Sequence, residues 1–171
     1  MRALPIAALA AITTAIFPAA AHVTLESKEA VAGSYHRATL KVPHGCQGSP
    51  TIRIRVRLPA SVLGVKPMPK PGWDLAIGKT RMETAVRGSH GEAITERTSE
   101  IIWSGGRLLD AHYDEFVLQV TLPDTPGAVL VFPVVQECEQ GVHRWIELPE
   151  AGKTPAGLKE PAPQLRLLPK P

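Results

Sequence analysis

Thr51-Ile52-Arg53-Ile54-Arg55-Val56-Arg57-Leu58 alternates polar and apolar side chains along its whole length. Successive side chains of an extended chain point to opposite faces. Ile52, Ile54, Val56 and Leu58 therefore define a buried face, and Thr51, Arg53, Arg55 and Arg57 a solvated one. The same period returns at Phe116, Leu118, Val120 and Leu122, with Gln119 and Thr121 opposite. Val129 to Val135 is a continuous apolar run that reads as a central strand, with Pro133 demanding a bulge or an edge. Tyr35 to Val42, Glu100 to Trp103 and Val142 to Leu148 are further strand candidates. Turn-forming clusters separate these segments, among them Pro43-His44-Gly45, Pro69-Lys70-Pro71-Gly72, Ser104-Gly105-Gly106 and Asp124-Thr125-Pro126-Gly127. No stretch after the first 21 residues sustains a helical repeat between good caps. Short strands punctuated by Pro and Gly predict an all-β domain, an antiparallel β-sandwich or small barrel.

The amino-terminal segment reads differently. Arg2 is followed by an apolar stretch from Ala3 to Phe17 and by Pro18-Ala19-Ala20-Ala21. These are the parts of a secretory signal peptide, so residues 1–21 are expected to be removed by cleavage after Ala21. His22 then becomes the amino terminus. Residues 22–150 are read as the β-sandwich domain. Residues 151–171, with five prolines and no aromatic residue, are read as a Pro-rich tail, extended or loosely laid on the domain through Leu165, Leu167 and Leu168. The expected location is the periplasm or the exterior. No second apolar run reaches the length of a membrane span, and His22 stands where a lipoprotein would need Cys, so no membrane anchor is expected after cleavage.

Charge narrows the partners. Of 19 Lys and Arg, only Arg2 lies in the leader, leaving 18 basic against 16 acidic residues spread along the chain. That near-neutral balance argues against nucleic acid as a partner. The two cysteines, Cys46 and Cys138, are expected to form a disulfide in an oxidising compartment. Enzyme motifs are missing: there is no G-x-S-x-G elbow, no H-E-x-x-H and no glycine loop for phosphate, and no catalytic residue is assigned. Asp110, Asp114 and Glu115 near His112 read as solvated charges at a turn.

A terminal His22 offers its α-amine and its ring nitrogen to one metal ion, closing a six-membered chelate ring. Imidazole suits copper, and Cu²⁺ heads the affinity order for such donors. Only Met68 and Met82 survive cleavage, too few thioethers for a dedicated Cu⁺ carrier, so nitrogen and oxygen donors favour Cu²⁺.

Longer motifs add to this. Ala21-His22-Val23-Thr24, Glu29-Ala30 and Gly33-Ser34-Tyr35 are followed by Val42-Pro43-His44-Gly45-Cys46 and Ser49-Pro50-Thr51. Lys66-Pro67-Met68-Pro69-Lys70-Pro71-Gly72-Trp73, Trp103-Ser104-Gly105-Gly106 and Tyr113-Asp114-Glu115-Phe116 come next. Phe132-Pro133-Val134-Val135-Gln136, Glu137-Cys138 and His143-Arg144-Trp145-Ile146-Glu147 close the series. In this order, from His22 to about Ala151, the chain resembles the YcnI-like family of exported bacterial copper-binding proteins. The resemblance implies an immunoglobulin- or cupredoxin-like β-sandwich. It also implies one Cu(II) held by a single-histidine brace, with His22 giving both nitrogens, Glu29 the carboxylate and Trp145 packed close by. Ser27 stands where other members often carry proline. Glu26 is the geometric rival to Glu29, since alternation would place positions 22, 24 and 26 on one face. His44 and His143 are the remaining alternates. The expected role is storage or delivery of Cu(II) to another periplasmic copper chaperone or a membrane copper transporter, without catalysis. The rival expectations are a copper-dependent redox enzyme, which would need a second histidine, and a metal-free immunoglobulin-like adhesion or assembly module.

Overall fold

A computed structural model of the chain describes residues 22–88, 91–150 and 157–171. The expected leader, and with it the expected cut, lies outside the described residues, as does His90. Along the described chain run β1 (Thr24–Leu25), β2 (Glu29–Val31), β3 (Tyr35–Val42), β4 (Thr51–Arg57), β5 (Leu63–Pro67) and β6 (Asp74–Arg87). They are followed by β7 (Ala93–Leu108), β8 (Asp114–Thr121), β9 (Val129–Val131), β10 (Val134–Cys138), β11 (Val142–Trp145) and β12 (Gln164–Leu168). No described helix is long and apolar enough to cross a membrane.

The strands form a four-stranded sheet in the order β1-β3-β8-β5, a five-stranded sheet in the order β11-β10-β4-β7-β6, and a small sheet in the order β2-β12-β9. The two large sheets are antiparallel throughout. They meet through their apolar faces, as a sandwich requires. Leu40, Phe116 and Leu118 come from one sheet, and Ile54, Val56, Ile101, Trp103 and Val134 from the other, all essentially without exposed surface. The rings of Trp103 and Phe116 sit 5.4 Å apart across the interface, and Trp73 meets Phe116 edge-on at 5.0 Å. Trp103 satisfies its indole N–H on the Met68 carbonyl at 3.2 Å. The all-β sandwich expected from the alternating segments is the fold that forms.

Several local expectations change. Ile54, Val56 and Leu58 are buried as their alternation predicts, but Thr51, placed on the solvated face, is fully buried. The pairing of β4 with β7 slips between Thr51 and Arg53, and a bulge of this kind turns one side chain to the opposite face. Val129 to Val135 is not one strand. Pro133 lacks an N–H for a ladder, and the chain changes sheet there, β9 joining the small sheet and β10 the five-stranded one. Ser104-Gly105-Gly106, expected as a turn, lies inside β7. Gly105 adopts φ +79°, and a Cβ on Gly106 would overlap the Trp73 indole, so both positions need glycine. Strands β6 and β7 continue beyond the reach of β4 as a two-stranded arm, with Arg87 paired to Ala93 near its tip.

The carboxy-terminal reading needs the largest correction. Gln164–Leu168 is not loosely laid on the surface: β12 is the middle strand of the small sheet, antiparallel to β9 and parallel to β2. Leu165 and Leu167 are 0% and 1% exposed and belong to the core. Their alternation with Gln164 and Arg166 is a strand signal that the surrounding prolines conceal. Residues 151–156, the start of the expected tail, lie outside the described residues.

Cys46 and Cys138 form the expected disulfide, at a sequence separation of 92. Closing a loop of that length is worth nominally about 4–5 kcal/mol in the chain-entropy model. It also fixes the loop carrying His44 against the end of β10.

Candidate metal centre

Trp145, the last residue of β11, organises this end of the sandwich. It is buried, and three imidazoles approach its ring: His143 at 4.9 Å, His22 at 5.4 Å and His44 at 6.3 Å between centroids. The indole N–H is engaged on its inner side, donating to Gln136 Oε1 at 3.0 Å. Gln136 is itself without exposed surface, and its amide donates to the His44 carbonyl at 2.7 Å and to Thr51 Oγ1 at 2.8 Å. The Thr51 hydroxyl lies 3.8 Å from Cys138 Sγ. A continuous line of polar contacts thus runs from the disulfide to the indole. Buried polar groups are tolerated only when satisfied in this way.

This network fixes which face of Trp145 meets His22, and it yields a prediction. Gln136→Leu keeps the volume but removes the acceptor of the buried indole N–H and the amide that donates to the His44 carbonyl and to Thr51. The expected loss is on the order of 2–5 kcal/mol of stability. Urea unfolding followed by tryptophan emission measures it.

His143 is held from outside the sandwich. Its Nδ1 lies 2.6 Å from Glu160 Oε1, and the Arg144 amide donates to Glu160 Oε2 at 2.8 Å. Burial pushes the Glu160 carboxyl up, but the His143 contact, the Arg144 amide and the nearby positive charges outweigh it. The group sits below its ordinary value. A depressed carboxylate adds stability that is full above its unfolded pKa, about 4.3, and is lost as pH falls through the lower folded value. Glu160→Gln should therefore flatten the acid limb of stability, read as urea midpoints between pH 5 and pH 3.

His22 is half-buried and opens onto a groove of about 800 Å³. The groove also takes in Glu29, the first residue of β2. Glu26 is placed elsewhere. Strand β1 is only two residues long, and the chain bends at Glu26 and Lys28, so alternation does not carry from His22 to Glu26. Glu26 instead lies 3.7 Å from Lys41 Nζ. Beyond the bend, Glu29 lines the same groove as His22. His44 points its Nδ1 at its own Gly45 carbonyl, and its ring stands 5.8 Å from that of His143.

Among the described residues, no three or more His, Cys, Asp and Glu side chains form a ready ligand cluster. A brace needs none, because one residue supplies two of its donors. The acids around His112 have structural duties: Asp110 accepts the Gly45 amide at 2.9 Å, and Asp114 pairs with Lys70 at 2.6 Å. His36 is partly buried, and burial lowers its pKa. Sequence reading missed Gln136, Thr51 and Glu160. The only visible signal was a glutamine inside the apolar run Val134-Val135-Gln136.

A family model described as a domain of unknown function, DUF1775, matches residues 22–167. No curated protein matches the chain. Among solved structures, an uncharacterized protein from Nocardia farcinica with an immunoglobulin-like fold is 24% identical, with a TM-score of 0.64. The match covers 86% of this chain and 98% of that one. The sandwich described above is accordingly immunoglobulin-like. A cohesin module of a family 33 glycoside hydrolase from Clostridium perfringens is 11% identical, with a TM-score of 0.46, over 87% of this chain and 97% of that one.

Proposed function

The chain belongs to the DUF1775 family, and on that premise we propose that it is an exported copper-binding protein that holds Cu²⁺ at its processed amino terminus and hands it on. The motifs from His22 to Trp145 resemble those of the YcnI-like copper proteins. The family match begins at His22, the residue that cleavage after Ala21 would expose.

The observation that carries the reading is the sharing of one groove by His22 and Glu29, with the Trp145 ring 5.4 Å from the imidazole. In this reading the metal is cargo. The α-amine and ring of His22 supply two nitrogens, and the α-amine deprotonates readily, its free pKa being about 8. Glu29 offsets one unit of charge in a site partly shielded from water. Trp145 gives no donor atom, since its N–H is committed to Gln136; it fills space and excludes water on one side. With nitrogen and oxygen donors and its cysteines paired, the site suits Cu²⁺. No step here requires turnover, and the protein acts as store or carrier, with a copper chaperone or membrane transporter as recipient.

Electron paramagnetic resonance of the exported, processed protein loaded with one equivalent of Cu²⁺ tests this. Hyperfine structure from two nitrogens, abolished in His22→Ala, is expected. A spectrum unchanged in His22→Ala contradicts the brace. Three nitrogens would favour the redox-enzyme geometry, with His44 or His143 as the added donor.

A further inference from the structure

The groove beside His22 is far larger than an ion needs. A Cu²⁺ with four waters occupies roughly 150 Å³, taking ~30 Å³ per water. The groove measures about 800 Å³, within the range of pockets that enclose small organic molecules, about 300–1,000 Å³. Its apolar lining includes Val23, Leu25, Val129, Pro161 and Pro163. Its charges are unequal. Lys28 and Arg166 border it along with Glu29, and Arg166 stands beside Glu29 in the register of β12 and β2. With Glu29 committed to the metal, two cations remain facing the cavity.

We propose that this groove receives copper as a small anionic chelate, with Lys28 and Arg166 binding the carboxylates of the carrier molecule. The inference rests on the brace reading and adds the form in which the metal arrives. A guanidinium pairs with a carboxylate through two parallel hydrogen bonds, and a lysine adds a point charge. The apolar walls take the carbon skeleton of the carrier. Transfer is ligand exchange. Copper–carboxylate bonds of the carrier break, and bonds to the two His22 nitrogens and a Glu29 oxygen form. The proton of the α-ammonium passes to solvent, copper remains Cu²⁺, and the carrier leaves as the free anion.

The test compares copper uptake by the exported, processed protein from the anionic citrate chelate and from the neutral bis-glycinate chelate. Both are followed by tryptophan quenching at low ionic strength, where charge steering is strongest. In Lys28→Gln/Arg166→Gln, uptake from citrate should slow about tenfold, while uptake from bis-glycinate stays at the wild-type rate, which also shows that the fold and the brace are intact. Equal slowing with both chelates, or slowing with neither, overturns the proposal. Wild-type protein that takes copper from neither chelate overturns the brace reading itself.

Discussion

A chain ending at Pro163 is expected to be unfolded at 25 °C, whereas one ending at Leu168 is expected to fold. The difference is β12. Its two buried leucines, Leu165 and Leu167, contribute about 2 kcal/mol each by leaving water. Backbone bonds add to this. The Ala32 amide donates to the Leu168 carbonyl at 2.9 Å and the Gly127 amide to the Leu167 carbonyl at 2.8 Å. The Arg166 and Leu167 amides donate to the Lys28 and Ala128 carbonyls at 2.8 Å. At a net ~1 kcal/mol each, with β2 and β9 left without their shared neighbour, the loss is on the order of 8 kcal/mol. That matches the whole stability of an ordinary domain, about 5–15 kcal/mol. Residues 169–171 are exposed, and their Lys170–Asp124 pair at 2.7 Å is worth less than about 1 kcal/mol. Far-ultraviolet circular dichroism and urea titration of the two truncations settle the matter. A folded chain ending at Pro163 would show that β12 is an accessory.

The same strand marks where sequence reading succeeds and where it stops. Alternation in Ile54 to Leu58 and in Leu118 to Leu122 is unobstructed, because there each strand presents one face to the core and the other to water. Leu165 and Leu167 alternate just as cleanly, but over five residues among prolines, where composition suggested a free tail. Val129 to Val135 looked continuous because every residue in it is apolar, although Val129 stays exposed; only the three-dimensional path shows Pro133 passing the chain between sheets. β6 is half polar and edge-paired, so no apolar period announces it.

For the site, the sequence singled out His22, Glu29 and Trp145; in the fold His22 and Glu29 line one groove, and the Trp145 ring lies 5.4 Å from the His22 imidazole. That Glu29 lines the groove of His22 while Glu26 pairs with Lys41 follows from the bend after β1, a tertiary feature with no local signature. The role of Gln136 was hidden for a related reason. Its importance comes from Trp145 and Thr51, nine and 85 residues away in sequence.

Adding a single glycine ahead of His22 is expected to weaken Cu²⁺ binding by at least about 100-fold, equivalent to about 2.7 kcal/mol. The extension leaves the imidazole, Glu29, Trp145 and the groove untouched. What it changes is the α-nitrogen of His22, which becomes an amide and is no longer an amine at the correct distance from the ring. The proposed six-membered chelate of amine and imidazole can then no longer form. Glu29→Gln should cost less, since it removes one oxygen donor and one compensating charge while both nitrogens stay.

The most direct measurement is a competitive Cu²⁺ titration of the exported protein beginning at His22 beside the form carrying one extra glycine. Tight one-to-one binding by the first and loss of about two orders of magnitude by the second is the predicted result. Equal affinity in the two forms would mean that the chain end does not grip the metal.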